Sequence, residues 1–71
     1  MTAYEYIRQT LTDEQVAGLA KAGIIAPNTA QYIEIYEWHI SNGRSKKKTA
    51  EHFRLKPSTT AYAISQMKKQ V

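Results

Sequence analysis

Apolar residues recur along this chain at three- and four-residue intervals, and nowhere do they alternate with polar ones over the length of a strand, so the pattern predicts helices throughout. Thr2 and Glu5 have capping-box spacing at the start of a short first helix carrying Tyr4 and Ile7. Thr12 and Gln15 repeat that spacing, Leu11 and Val16 are placed as a hydrophobic staple, and Gly23 suits a left-handed stop after Ala22. Val16, Leu19 and Ala20 share one face of this second helix, and Ile24 and Ile25 follow the stop as expected core plugs. Beyond Pro27, Asn28 is a good N-cap for a third helix that reaches about Ser41 before Asn42 and Gly43 end it. Ile33, Tyr36 and Ile40 form one stripe of that helix and Tyr32 and Ile35 widen it, so a hub packed from two directions is expected. Trp38 falls beside the stripe as a half-buried anchor, and His39 is expected at the surface or boundary of the hub.

Ser45 is placed to cap a fourth helix, "KKKTAEHF", with Thr49, Ala50 and Phe53 inward and His52 exposed. A short turn, "RLK", leads to a fifth helix starting at Pro57, a residue favoured in a first turn. Thr60, Ala63, Ile64, Met67 and Val71 share one face of it, at i, i+3, i+4, i+7 and i+11. The opposite stripe is Ser58, Tyr62, Ser65 and Lys69, flanked by Thr59, Ala61 and Gln66, and holds no acidic residue. The expected fold class is all-α, a single domain of four to five short helices. A helical cap covers 1–26, a support helix 28–42 and a two-helix unit 45–69. Residues 1–2 and 70–71 read as frayed ends.

Composition adds two constraints. The 71 residues include no cysteine, so disulfides and thiolate metal sites are excluded, and a core this small leaves room for a homodimer to share the burden of stability. No stretch approaches the length of a membrane span and the opening "MTAYEYIRQT" lacks the regions of a signal peptide, so a soluble, cytoplasmic chain is expected.

Charge changes the picture more. Residues 1–37 carry two cations against five carboxylates, net −3, and residues 38–71 carry eight against one, net +7. Such a split points the second half towards a polyanion, with a merely solvated basic face as the plain alternative. Lys46, Lys47 and Lys48 sharpen it, because positive charge in a helix's first turn opposes the macrodipole. A phosphate docked there would be drawn by the lysines and the free N–H groups together. A nuclear-localisation run is the competing reading of "GRSKKK". The outward stripe of the fifth helix offers hydroxyls, one aromatic, one amide and one cation, a set able to read base edges in a major groove.

The stretch "TAEHFRLKPSTTAYAI" resembles the helix-turn-helix of bacterial and phage regulators, transposases and sigma-factor-like domains. Ala50 matches the family's buried alanine and Leu55 its apolar turn residue, and "IEIYEWHISNG" before them is similar to the support helix of the tri-helical version. The resemblance covers about residues 29–69 and implies sequence-specific binding to double-stranded DNA by a small transcriptional regulator of bacterial, phage or mobile-element origin, associated with the nucleoid. Ser58, Thr59 and Tyr62 fall where members of the family contact DNA; the outward stripe adds Ser65 and Gln66 as base-facing residues, and the charge pattern makes Arg44, Lys46, Lys47, Lys48, Arg54, Lys56, Lys68 and Lys69 the expected phosphate contacts. Four positions depart from the family: Arg54 stands for a turn glycine, Lys56 for a small capping residue, and Thr60 and Ala63 for larger core aliphatics. The alternative from another class is a protein-interaction or dimerisation module on the same fold.

No constellation for catalysis is present. His39 and His52 lack metal-ligand spacing, and there is no Gly-rich phosphate loop or nucleophile motif. The expectation is a non-enzyme with no metal, cofactor, membrane or small-molecule substrate.

Overall fold

Reciprocal side-chain caps start the first two helices. A computed structural model describes all of residues 1–71 and contains five α-helices and no named strand. Helix α1 spans Ala3–Thr10, and at its start Thr2 Oγ1 accepts from the Glu5 N–H at 3.1 Å while Glu5 Oε1 accepts from the Thr2 N–H at 2.9 Å. Helix α2 spans Asp13–Lys21 and repeats the device with Thr12 and Gln15, at 3.2 and 2.8 Å. The staple residues Leu11 and Val16 both reach the core.

Gly23 stops α2 as its sequence position requires. It adopts φ +79°, its N–H donates to the Ala20 carbonyl at 3.1 Å, and the Ile24 N–H reaches back to Leu19 at 3.0 Å, the paired bonds of a Schellman stop. The two isoleucines after it behave differently. Ile25 packs against the core, whereas Ile24 is 70% exposed and is no core plug. Consecutive side chains leaving a turn diverge, so only one of the pair faces inward.

Helix α3, Thr29–Ser41, is the hub and touches α2, α4 and α5. Asn28 precedes it without capping it. Its backbone, at φ −90° and ψ 8°, is not in the extended conformation of a capping residue, and its side chain makes no capping bond. Ile33, Ile35 and Tyr36 of α3 meet Val16 of α2 and Ala63, Ile64 and Met67 of the last helix in one core. Removing Ile35 or Ile64 from water contributes about 1.5–3 kcal/mol apiece. Tyr32 and Ile40 pack at the edge of this core.

Helices α4, Lys46–Phe53, and α5, Pro57–Lys68, follow with three residues between them. Thr60, Ala63, Ile64 and Met67 are buried, as their shared face predicts. Val71 does not join them. The chain leaves helical geometry at Lys69, so the i+11 position no longer exists, and Val71 is 66% exposed.

The ends are paired instead of frayed. The Ala3 N–H donates to the Lys69 carbonyl at 2.6 Å, the Val71 N–H donates to the Met1 carbonyl at 3.0 Å, and Thr2 and Gln70 form an antiparallel bridge. These bonds hold α1 against α5, so the N-terminal helices reach the basic half directly as well as through the hub. No helix is long and apolar enough to cross a membrane.

Candidate nucleic-acid interface

The candidate interface begins where α4 begins. Ser45 is extended and its Oγ accepts from the Lys48 N–H at 3.3 Å, which leaves the Lys46 and Lys47 N–H groups without a protein partner. All three lysines are exposed, and no acidic residue stands in this first turn to offset the helix dipole. Each cation so placed costs about 0.3–1 kcal/mol. Two open N–H donors and three lysines therefore share the first turn of this helix.

The far end of α4 holds Arg54, at the position where the helix-turn-helix resemblance would put a glycine. Arg54 is in the left-handed region, at φ 55° and ψ 44°. Its N–H donates to Glu51 at 3.2 Å and the Leu55 N–H donates to Ala50 at 2.9 Å, the same Schellman pair that Gly23 makes after α2. The turn keeps the glycine geometry, and the arginine bears its strain, about 1–2 kcal/mol for a residue with a Cβ. The only other non-glycine residue at positive φ is also an arginine, Arg44, at φ 58° between Gly43 and Ser45.

Lys56 precedes α5 without a side-chain cap, and the helix starts at Pro57. Ser58, Thr59, Tyr62 and Ser65 are exposed on its outer face, while Gln66 is half-buried beside them. Thr60 is fully enclosed and its Oγ1 has no hydrogen-bond partner.

None of the eight cations from Arg44 to Lys69 is paired. The single ion pair of the molecule joins Arg8 to Asp13 at 2.8 Å, in the other half. The eight are not one cluster. Lys46, Lys47 and Arg54 line a groove of about 480 Å³ together with Ala50, Glu51, Leu55 and Pro57. Arg44 and Lys68 line a separate depression together with Glu5. Lys48, Lys56 and Lys69 are exposed outside both.

His39 is not a boundary residue; it is 4% exposed. Tyr32, Ile35, Tyr36 and His39 are spaced i, i+3, i+4 and i+7, so the apolar arc of α3 carries the ring into the interior. Its Nδ1 lies 3.0 Å from Thr49 Oγ1, and that hydroxyl donates to the Ser45 carbonyl at 2.7 Å. A hydroxyl has one proton, so both contacts are satisfied only when Nδ1 carries a hydrogen and donates. The capped start of α4 is thereby tied to the hub. Burial holds the His39 pKa below its ordinary value, and the nearby charges of Lys68, Arg44 and Lys46 push in the same direction.

Trp38 is half-buried as expected, and exposed His52 stacks on it with ring centroids 4.2 Å apart and 15° between planes. Phe53 closes on both rings edge-on. Sequence reasoning missed one neighbour of the outer face: Tyr32 of α3 stands edge-on to Tyr62, with Asn28 bonded to its hydroxyl. Only the spacing of Asn28 and Tyr32, one helical turn apart, hints at it. Comparison with protein-family models, with curated proteins and with solved structures gives no match to this chain.

Proposed function

We propose that α4, the turn at residues 54–56 and α5 form a helix-turn-helix that binds double-stranded DNA with sequence preference. The observation that carries this reading is the set of eight exposed cations left unpaired around a helix, α5, that has no carboxylate at all. Lys46, Lys47 and Lys48 would take a phosphate at the start of α4, with Arg44, Arg54, Lys56, Lys68 and Lys69 on the flanking backbone. Ser58, Thr59, Tyr62, Ser65 and Gln66 would meet base edges in the major groove. The part of a small transcriptional regulator, of bacterial, phage or mobile-element origin, rests on the resemblance of "TAEHFRLKPSTTAYAI" alone.

The test is a salt titration of duplex binding. The logarithm of affinity is expected to fall linearly with that of salt, with slope about −0.9 per phosphate neutralised; some six contacts would cost about 10³-fold between 50 and 200 mM. Affinity that ignores salt would reject the reading.

One observation favours a second reading, a protein-interaction module. The groove beside α4 has Ala50, Leu55 and Pro57 in its lining, apolar surface of the kind a partner's side chain would need. Weak retention on heparin together with a tight complex with another protein, seen by mass in solution, would favour it over DNA binding.

A further inference from the structure

Tyr62 is 55% exposed on the outer face of α5, where an aromatic ring would ordinarily exchange between rotamers. Here the ring has a backstop. Its centroid lies 5.9 Å from that of Tyr32 with 76° between the planes, the edge-to-face arrangement that aromatic quadrupoles favour. Tyr32 belongs to a different helix, α3, where it packs against the core. Its Oη also accepts a hydrogen bond from Asn28 Nδ2 at 2.7 Å. Asn28 occupies the position from which an asparagine commonly caps a helix, yet its side chain is turned to Tyr32. An exposed ring on the outer face is thus braced by a half-buried ring, which is itself held by a polar side chain one turn away.

We propose, resting on the DNA-binding reading above, that Tyr32, held by Asn28, is a positioning residue for base discrimination. It fixes the Tyr62 ring so that its apolar edge meets the C5-methyl group of a thymine in the major groove. Fixing the ring before binding removes the ordering cost that a mobile side chain incurs in the complex. Phosphate contacts lie elsewhere, on the lysines and arginines, so the brace acts on sequence preference and leaves non-specific affinity alone.

The experiment uses the full chain and its preferred duplex, selected from a random pool, with each thymine replaced in turn by deoxyuridine to delete one methyl group. At one position the wild type is expected to lose about fivefold or more in affinity, and Tyr62→Ala to lose nothing further there. Tyr32→Leu, which keeps apolar packing but removes the ring, is expected to flatten the thymine-to-deoxyuridine difference as Tyr62→Ala does. Combining the two should flatten it no more. Asn28→Ala, at an exposed position with no threat to the core, should reduce the difference in part. Salt dependence and affinity for unrelated duplex should stay at wild-type values in Tyr32→Leu and Asn28→Ala. Full discrimination retained by both Tyr32→Leu and Asn28→Ala overturns the brace. A preference altered by Tyr62→Ala with no methyl group mattering overturns the thymine assignment. A wild type with no preference among duplexes rejects the DNA reading, a result seen before any variant is made.

Discussion

The two halves of this molecule solve the same local problems in opposite ways. Helices α1 and α2 start with reciprocal capping boxes and have acidic residues in their first turns, and α2 stops at a glycine. Helix α4 starts with a serine that has no reciprocal partner, carries three lysines in its first turn and stops at an arginine, and α5 has no side-chain cap. Unlike charges pair in the first half and stand unpaired in the second. Each departure costs free energy by rules that α1 and α2 obey, so the second half is not arranged for stability alone. Strain and uncompensated charge concentrated in one region are what the proposed DNA-binding role would ask of it.

Repairing the second half should therefore stabilise the fold, and where the repaired group is functional it should weaken binding. The largest effect is expected from Lys46→Glu, Lys47→Glu and Lys48→Glu combined. Three favourable placements at a helix start, at about 0.3–1 kcal/mol each, should raise unfolding free energy in urea by about 1–3 kcal/mol, with DNA affinity abolished. A stabilised protein that still binds would break the comparison.

Exchanging the two stops gives the next largest effect. Arg54→Gly should gain about 1 kcal/mol by relieving the left-handed Cβ, and Gly23→Arg should lose about as much, since the backbone there is also left-handed. The first should weaken DNA binding and the second should leave it unchanged. Thr60→Val should gain about 1 kcal/mol in thermal or urea unfolding by removing an enclosed hydroxyl that has no partner. Because Thr60 faces the core, binding should be unaffected, which separates a core departure from an interface one.

The smallest effect is a pH slope. His39 is held below its ordinary pKa in the fold, while in the unfolded chain it takes up a proton near pH 6.5. Below that pH the unfolded state binds more protons than the native one, so stability should fall as pH drops from about 6.5 towards the folded pKa. Melting temperatures at pH 7.5 and 5.5 should differ in this sense, and His39→Gln should flatten the slope. Glu5 acts in a separate, lower window. Its cap bonds hold its pKa below the usual carboxylate value, so its share of stability is lost as pH falls through the acid range.

What the sequence revealed of the fold follows the range of the interactions involved. Thr2, Thr12, Ser45 and Gly23 were legible because a cap or stop is decided within four or five residues. The inner face of α5 was legible because helical periodicity is local too. Ile24 and Ile25 were indistinguishable until the turn set their directions, and His39 needed Thr49 from another helix to accept its Nδ1 proton. Asn28 looked like a cap by residue type and position, and only its one-turn spacing from Tyr32 hints that its amide donates to that hydroxyl instead. The exposure of Ser58, Thr59, Tyr62 and Ser65 followed from periodicity, but the half-burial of Gln66 and the contact between Tyr32 and Tyr62 depend on three-dimensional packing. The division of the cations between two depressions likewise exists only in three dimensions.

The pairing of Met1 with Val71 and of Ala3 with Lys69 has a mechanical consequence. The two ends sit side by side, so tension applied between them loads one interchain-like pair of bonds at a time and unzips the structure from that corner. Under load α1 should peel from α5 before the hub yields. The same adjacency means that a backbone closed into a ring through the ends would need only a short splice, and a chain reopened at the exposed turn near Ile24 should rebuild the same helices in a new order.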